Sequence, residues 1–148
     1  MNIVEQIYDQ IVILTDLALG TGTYTRLRKV FNPEQNDFRN VNQAFGVRHG
    51  SASTADGVTR VYTMDHTFEV LLAKRASSRD TDLTIQETMN LLYSKADDVF
   101  RTIHLRKLNL PSIVLIVDSP NIGEPEVLDN ECVLLTLGFN VKYRSAII

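Results

Sequence analysis

Two long segments in which apolar and polar residues alternate constrain the fold more than any other feature of this sequence. In the first segment, Val58–Arg75, mostly apolar positions alternate with polar ones: Tyr62, Met64, His66, Phe68, Val70 and Leu72 against Thr63, Asp65, Thr67 and Glu69. In the second segment, Glu131–Arg144, the apolar positions are Val133, Leu135, Leu137, Phe139, Val141 and Tyr143. Successive side chains of a strand point to opposite faces. Both segments are therefore predicted to be strands with one face on a core and the other toward water.

Two helices are predicted from apolar residues that recur every three or four positions. The first covers Ile3–Leu19, and the two glycines that follow it are expected to end it. Its apolar face is wider than one stripe, so the helix is either sunk deeply in its own domain or in contact with another molecule. The second covers Ile85–Lys107 and is predicted to begin with a capping box formed by Thr84 and Glu87.

The shorter segments complete an α+β fold, in which one mostly antiparallel sheet carries both helices on one face. Gln43–Ser53 is predicted to form a hairpin with Val58–Arg75 through a turn at Thr54–Gly57, because Asp-Gly is a favoured turn sequence. Ile113–Val117 is wholly apolar and is expected to be a central strand covered on both faces. Asp118–Asn130 is expected to be a loop.

One domain of residues 1–148 is predicted, with the element order α-β-β-α-β-β. Thr23–Phe31 is compatible with an extra strand after the first helix, and the polar segment Asn32–Asn42 is predicted to be an irregular excursion. A region of about residues 32–60, which contains the excursion and the tip of the hairpin, is expected to project from the body.

The composition is that of an ordinary globular domain, with 44% apolar and 22% charged residues and a net charge of −3. That charge argues against tight binding to nucleic acid or to a membrane surface. The longest apolar runs, Ile11–Leu14 and Ile113–Val117, are far shorter than the roughly 20 residues of a transmembrane helix. No secretory leader is recognised, and the single cysteine, Cys132, fits a reducing compartment.

No motif for catalysis, metal binding or cofactor binding is found. None of the three histidines has a second histidine or a cysteine at metal-ligand spacing, and no serine lies in a Gly-x-Ser-x-Gly elbow. His66 lies on the apolar face of its strand and is predicted to be a hydrogen-bonded core histidine. One alternative stays open, namely a small α+β enzyme or ligand-binding domain with a pocket that contains His66, Asp65, Tyr62 and Cys132.

Charged residues are segregated along the chain. The segment Tyr24–Gly50 is net positive, because two acids there oppose five basic residues, Arg26, Arg28, Lys29, Arg39 and Arg48. The segment Asp118–Glu131 is acidic and contains Asp118, Glu124, Glu126 and Asp129. A head-to-tail ring of identical subunits requires complementary patches on one molecule. These residues are therefore predicted to form subunit or partner contacts, with a scattered, solvated surface as the alternative.

The elements together form a recognisable arrangement. A leading amphipathic helix precedes a long hairpin that ends in Tyr62-Thr-Met-Asp-His-Thr-Phe-Glu-Val-Leu-Leu. A long helix then leads to a pair of strands that ends in Gly138-Phe-Asn-Val-Lys-Tyr-Arg. In element order and size, nearly the whole chain resembles the tail-terminator proteins of tailed bacteriophages, which are also called tail-completion or head–tail joining proteins.

This resemblance implies a structural virion protein without enzymatic activity, cofactor or metal. Proteins of this family form a ring, usually of six subunits, on the head-proximal end of the tail tube. They stop polymerisation of the tube and provide the surface that meets the head or neck. The implied partners are further copies of the chain, the tail-tube protein and a head-completion or neck protein, with DNA only passing through the lumen and no membrane. The implied location is the tail or neck of the virion, after assembly in the host cytoplasm.

Overall fold

A mostly antiparallel sheet is the scaffold of the fold. The computed structural model describes residues 2–27, 42–57, 61–76, 81–128 and 132–146, which form two α-helices and a six-stranded sheet. The helices are α1 (Ile3–Leu19) and α2 (Thr81–Arg106). The strands are β1 (Thr25–Arg26), β2 (Gln43–Gly57), β3 (Val61–Arg75), β4 (Val114–Ile122), β5 (Glu126–Val127) and β6 (Cys132–Ala146). Their order is β1-β2-β3-β6-β4, with β5 also paired to β6, and the predicted α+β class is confirmed.

The two alternating segments lie side by side at the centre of the sheet. β3 and β6 pair along their whole lengths, from Val61 opposite Ala146 to Arg75 opposite Cys132. The predicted core positions of β6 are all buried, from Val133 to Tyr143, as are His66, Phe68, Val70 and Leu72 of β3. Both helices cover this face, so the predicted core and its two layers are confirmed.

Helix α1 has the predicted bounds. Asn2 caps its beginning, because its Oδ1 accepts a hydrogen bond of 2.8 Å from the backbone N–H of Glu5. Its end falls at Gly20, whose φ of +94° is a conformation that residues with a Cβ rarely adopt. Ile7 and Ile11 are fully buried, whereas Ile13 is 54% exposed.

Helix α2 is longer than predicted, and the capping box is wrong. The helix begins at Thr81, so Thr84 lies inside the helix, where its carbonyl accepts a hydrogen bond of 2.6 Å from Thr88 Oγ1. The pattern misled because Ser/Thr and Glu three residues apart also occur within helices. At the other end, a 3₁₀ turn (Lys107–Asn109) follows, in which all three residues have positive φ.

The predicted turn at Thr54–Gly57 is also wrong, because β2 continues through it. Asp56 and Gly57 pair with Thr63 and Tyr62, and the connection to β3 at 58–60 lies outside the described residues. Two register shifts in β2, between His49 and Ala52 and between Thr54 and Asp56, absorb the extra residues. Such bulges let the ladder continue past a sequence that favours a turn.

The strand predicted to be central lies at an edge. β4 pairs with β6, and no other described strand lies on its far side. Val114 and Val117 are buried, but Ile116 is 39% exposed. The apolar run misled because α2 covers one face of this edge, so buried residues are needed there without a second neighbouring strand. The predicted loop Asp118–Asn130 is wrong in part, since it contains the end of β4 and all of β5.

Only part of the segment after α1 can be compared with the prediction. A short strand is present at Thr25–Arg26, parallel to Ala44–Phe45 of β2. The rest of the predicted extra strand, from position 28 onward, and the excursion up to position 41 lie outside the described residues. Of the region of about 32–60, the described part, 42–57, belongs to β2 apart from Asn42.

The opposite face of the sheet carries a second, smaller apolar cluster that the sequence did not predict. Its buried members are Ala44, Leu71, Ala73, Cys132 and Leu134, with Leu27 and Leu128 packed against them. Within the described part of the chain, no helix is long and apolar enough to cross a membrane.

Candidate functional site

The charged residues predicted to form contacts lie at two opposite edges of the sheet, wherever they are described. Arg26 is in β1 at one edge, whereas Asp118 in β4, Glu124 in the connection after it and Glu126 in β5 are at the other. Arg28, Lys29, Arg39 and Asp129 lie outside the described residues. Basic and acidic residues that are separated along the sequence are therefore also separated in space, at opposite edges of the sheet.

The basic edge is built on α1. Arg26 is exposed, and its Nη2 lies 3.4 Å from Tyr8 Oη, with its Cζ 5.9 Å from the centre of the Tyr8 ring. This geometry is a cation–π contact, which orients the guanidinium without removing it from water. Arg48 differs, because it forms an ion pair with Glu69 on the neighbouring strand, at 2.5 Å between Nη2 and Oε2. Its charge is therefore largely balanced within the molecule.

The acidic edge combines exposed and partly buried carboxylates. Glu124 and Glu126 are exposed, and Val127 beside them is 42% exposed. Asp118 is half-buried, and no described group donates a hydrogen bond to its buried Oδ1. A buried carboxylate oxygen without a donor is costly, so this edge gains free energy from any donor brought to it.

Both edges are protected against the addition of another strand. β1 pairs with β2 only at Ala44 and Phe45, so the rest of β2 is an edge among the described strands. β2 and β4 each contain two register shifts, and bulges of this kind interrupt the row of backbone groups that a further strand needs. A helix side chain also covers a backbone carbonyl near each edge. Tyr8 Oη donates to Val47 O at 2.9 Å, and the Nδ1–H of His104 donates to Val117 O at 2.6 Å. Contacts at these edges are therefore expected to be made by side chains.

A pair of histidines is the feature that sequence reasoning missed. His49 Nδ1 lies 3.2 Å from His66 Nε2. The two residues are 17 positions apart, so no motif spacing indicates the pair. They meet because His49 lies opposite Phe68, two residues from His66 on the same face of β3. Gly50 beside them packs on Thr67, where an added Cβ would come within 2.9 Å of Thr67 Cβ. His66 is confirmed as a buried, paired core histidine, with 7% of its surface exposed.

Aromatic rings surround the histidine pair. The His66 ring stacks on Phe68 at 4.3 Å, and the exposed His49 ring stacks on Tyr8 at 5.0 Å. No described group forms a hydrogen bond with His66 Nδ1. Burial, with a smaller contribution from the nearby His49, lowers the pKa of His66 below its ordinary value.

The other members of the alternative pocket do not converge on His66. Asp65 precedes it in β3 and therefore points to the opposite face of the sheet. Cys132 lies opposite Arg75, while His66 lies opposite Val141, nine residues further along β6 (141 − 132). At about 3.3 Å per residue, that separation is about 30 Å. The side chain of Tyr62 lies outside the described part of the structure.

One concave space formed by described residues lies elsewhere. It is an open groove of about 260 Å³ between β3 and the beginning of α2, lined by Lys74, Arg75, Thr84, Glu87, Thr88 and Leu91. Within 2–27, 42–57, 61–76, 81–128 and 132–146, no group of three or more His, Cys, Asp or Glu side chains is placed to hold a metal ion.

In comparisons with known proteins, no family model matches the chain and no curated protein matches it.

Proposed function

We propose that this protein is a structural virion assembly protein of the tail-terminator type. In this role, copies form a ring on the head-proximal end of a tail tube, stop its polymerisation and join it to the head or neck. The observation that carries the proposal is the placement of Arg26 at one edge of the sheet and of Asp118, Glu124 and Glu126 at the opposite edge. The resemblance in element order and size supplies the identity of the assembly.

Opposite charges on opposite edges favour a particular kind of association. When the basic edge of one copy meets the acidic edge of the next, each copy keeps one edge of each sign available, so the contact repeats in one direction. A contact that used the same surface on both copies would instead place like charges together. A head-to-tail contact of this kind generates a ring when the rotation between neighbours closes.

The strength of such a contact comes from several weak terms. A solvent-exposed ion pair contributes only about 0.2–1 kcal/mol, so no single charge pair holds a ring together. Burial of the exposed apolar residues beside the acidic edge, Ile116 and Val127, adds a term that salt does not screen. A third contribution is a charge-assisted hydrogen bond from an arginine of the neighbouring copy to Asp118 Oδ1, which has no donor among the described residues. We therefore expect assembly to weaken with salt without vanishing.

Multi-angle light scattering on the purified chain tests the proposal, first alone and then with the tail-tube protein encoded in the same gene cluster. Both measurements are needed, because some terminators stay monomeric until the tube is present. A ring of defined mass, or binding to tube ends that stops their growth, is the expected result. A strict monomer that never associates with tubes contradicts it.

Charge reversal separates assembly from folding. For the double variant Arg26→Glu/Arg28→Glu, we expect the protein concentration needed for half-maximal assembly to rise tenfold or more. The midpoint of thermal unfolding is expected to change little. The matched control is Arg101→Glu, because the Arg101 side chain is 66% exposed and belongs to α2, not to a strand of either edge. If the double variant assembles as the control does, these arginines are only solvated surface residues.

A further inference from the structure

We propose that His49 and His66 form a two-histidine binding site for a divalent transition-metal ion of the Cu²⁺, Ni²⁺ or Zn²⁺ class. The inference is independent of the assembly proposal, since it concerns one corner of one chain. It depends on the convergence of two imidazole nitrogens at the register shift of β2, together with the burial of one ring and the exposure of the other.

The distance between the nitrogens suits two ligands of one ion. His49 Nδ1 and His66 Nε2 are 3.2 Å apart. An ion at the usual metal–nitrogen distance of about 2.0–2.1 Å from both would subtend an angle of about 100°, between the octahedral and tetrahedral values. The ion would sit beside the line that joins the two nitrogens, so each ring turns away from the direct nitrogen–nitrogen contact to direct a lone pair at it.

The rings are held in place before an ion arrives. Phe68 stacks on the His66 ring at 4.3 Å, and Tyr8 stacks on the His49 ring at 5.0 Å. The His49 side also gives access from solvent, because this residue is exposed. Little rotamer freedom therefore has to be lost when the ion binds, which favours affinity.

Metal binding requires a free lone pair on each of the two facing nitrogens. Imidazole coordinates a metal only when the coordinating nitrogen is unprotonated. The nitrogens that face each other are His49 Nδ1 and His66 Nε2, so the ring protons lie on His49 Nε2 and His66 Nδ1 when the ion is bound. No third His, Cys, Asp or Glu among the described residues completes the site, so water fills the remaining positions and the ion exchanges readily.

Imidazole pairs select the class of ion. Nitrogen ligands suit Zn²⁺, Cu²⁺ and Ni²⁺, whereas Mg²⁺ and Ca²⁺ require oxygen ligands. A bound ion would connect β2 to β3 across the register shift between His49 and Ala52, a position where the ladder itself is interrupted. Binding is therefore expected to stabilise the folded chain.

Isothermal titration of the tag-free, chelator-treated full chain with ZnCl₂ tests the site. We expect one Zn²⁺ per chain and an increase in the midpoint of thermal unfolding with Zn²⁺ but not with Mg²⁺. His49→Gln and His66→Gln are each expected to weaken binding by tenfold or more. His104→Gln is the matched control and should retain wild-type binding, because His104 is committed to the Val117 carbonyl.

The two variants protect the test against a folding defect. His66 is buried, so His66→Gln is interpreted only if its circular dichroism spectrum matches that of the wild type. His49 is exposed, and His49→Gln is expected to fold normally. The proposal is overturned if the wild type shows no saturable Zn²⁺ binding, if His49→Gln binds as well as the wild type, or if His104→Gln loses binding to the same extent.

Discussion

A single buried imidazole makes the stability of this fold depend on pH. His66 has a folded-state pKa below that of an exposed histidine, about 6.5, so the unfolded chain binds more protons at acidic pH. Its contribution is complete above about pH 6.5 and is lost as the pH falls through this value. We expect the free energy of unfolding, from urea titrations with chelator at pH 7.5, 6.5 and 5.5, to decrease by at most about 1.4 kcal/mol per pH unit for this group.

Variants of His66 itself and of a second histidine, His104, provide the comparison for this prediction. His66→Gln cannot gain a proton, so the acid-dependent part of the wild-type curve should become smaller in this variant. His104→Gln should keep it, because His104 belongs to a different corner of the molecule, where it bonds Val117. Equal slopes for the wild type and His66→Gln would show that another group causes the loss of stability in acid.

At the residue scale, the sequence predicted burial better than proximity. The alternating pattern was enough to place His66 on the core face, because the period of a strand is a local property. The same pattern could not reveal that His49 meets it, since that contact depends on the register of two strands and on a bulge at Gly50. The positions of Arg26 and Glu126 at opposite edges likewise follow from the strand order. The order of the strands depends on pairing between distant segments, so a local pattern cannot predict it.

At the scale of elements, the connection from α2 to β4 stores backbone strain. Lys107, Leu108 and Asn109 have φ values of +46°, +54° and +55°. Leu108 is fully buried, and this anchor holds the turn in place. A left-handed conformation costs roughly 1–2 kcal/mol for a residue with a Cβ. Glycine avoids this cost, but it increases the conformational entropy of the unfolded chain, which lowers the stability of the fold by about 0.4–1 kcal/mol. Lys107→Gly is therefore expected to stabilise the protein by about 0.5–1 kcal/mol.

Lys107→Ala is the control for the glycine variant. It removes the same exposed side chain but keeps the Cβ, so it should not raise the free energy of unfolding measured by urea titration. If the alanine variant gains as much as the glycine variant, the lysine side chain, and not the backbone conformation, is the source of the effect.

Elements with a strong internal period were predicted well, and those defined by their neighbours were not. The bounds of α1 and the core face of β6 follow from residues within each segment. The turn at Thr54–Gly57 was wrong because pairing with β3 outweighs the local preference of Asp-Gly. The central position of Ile113–Val117 was wrong because an apolar run has the same sequence whether a strand or a helix covers it.

At the scale of the whole molecule, charged edges and blunted strands act together. The bulges in β2 and β4 and the covered carbonyls of Val47 and Val117 discourage strand addition, which would allow uncontrolled growth. Complementary charges still permit one orientation of contact. The arrangement suits an assembly that must be specific and must stop at a fixed number of copies.

The head-to-tail arrangement makes a prediction about mixtures of two defective chains. One chain carries Arg26→Glu/Arg28→Glu and the other carries Glu124→Lys/Glu126→Lys, so each alone brings like charges together at its contacts and should fail to assemble. In an equimolar mixture the two chains can alternate, because every acidic edge then meets a basic one, and an even-numbered ring closes.

Light scattering should show assembly in the mixture and in neither chain alone. Each chain measured alone at the total protein concentration of the mixture supplies the control, since it then offers no edge of opposite charge. Failure of the mixture, with both chains folded, would mean that the two edges do not face each other between neighbouring copies.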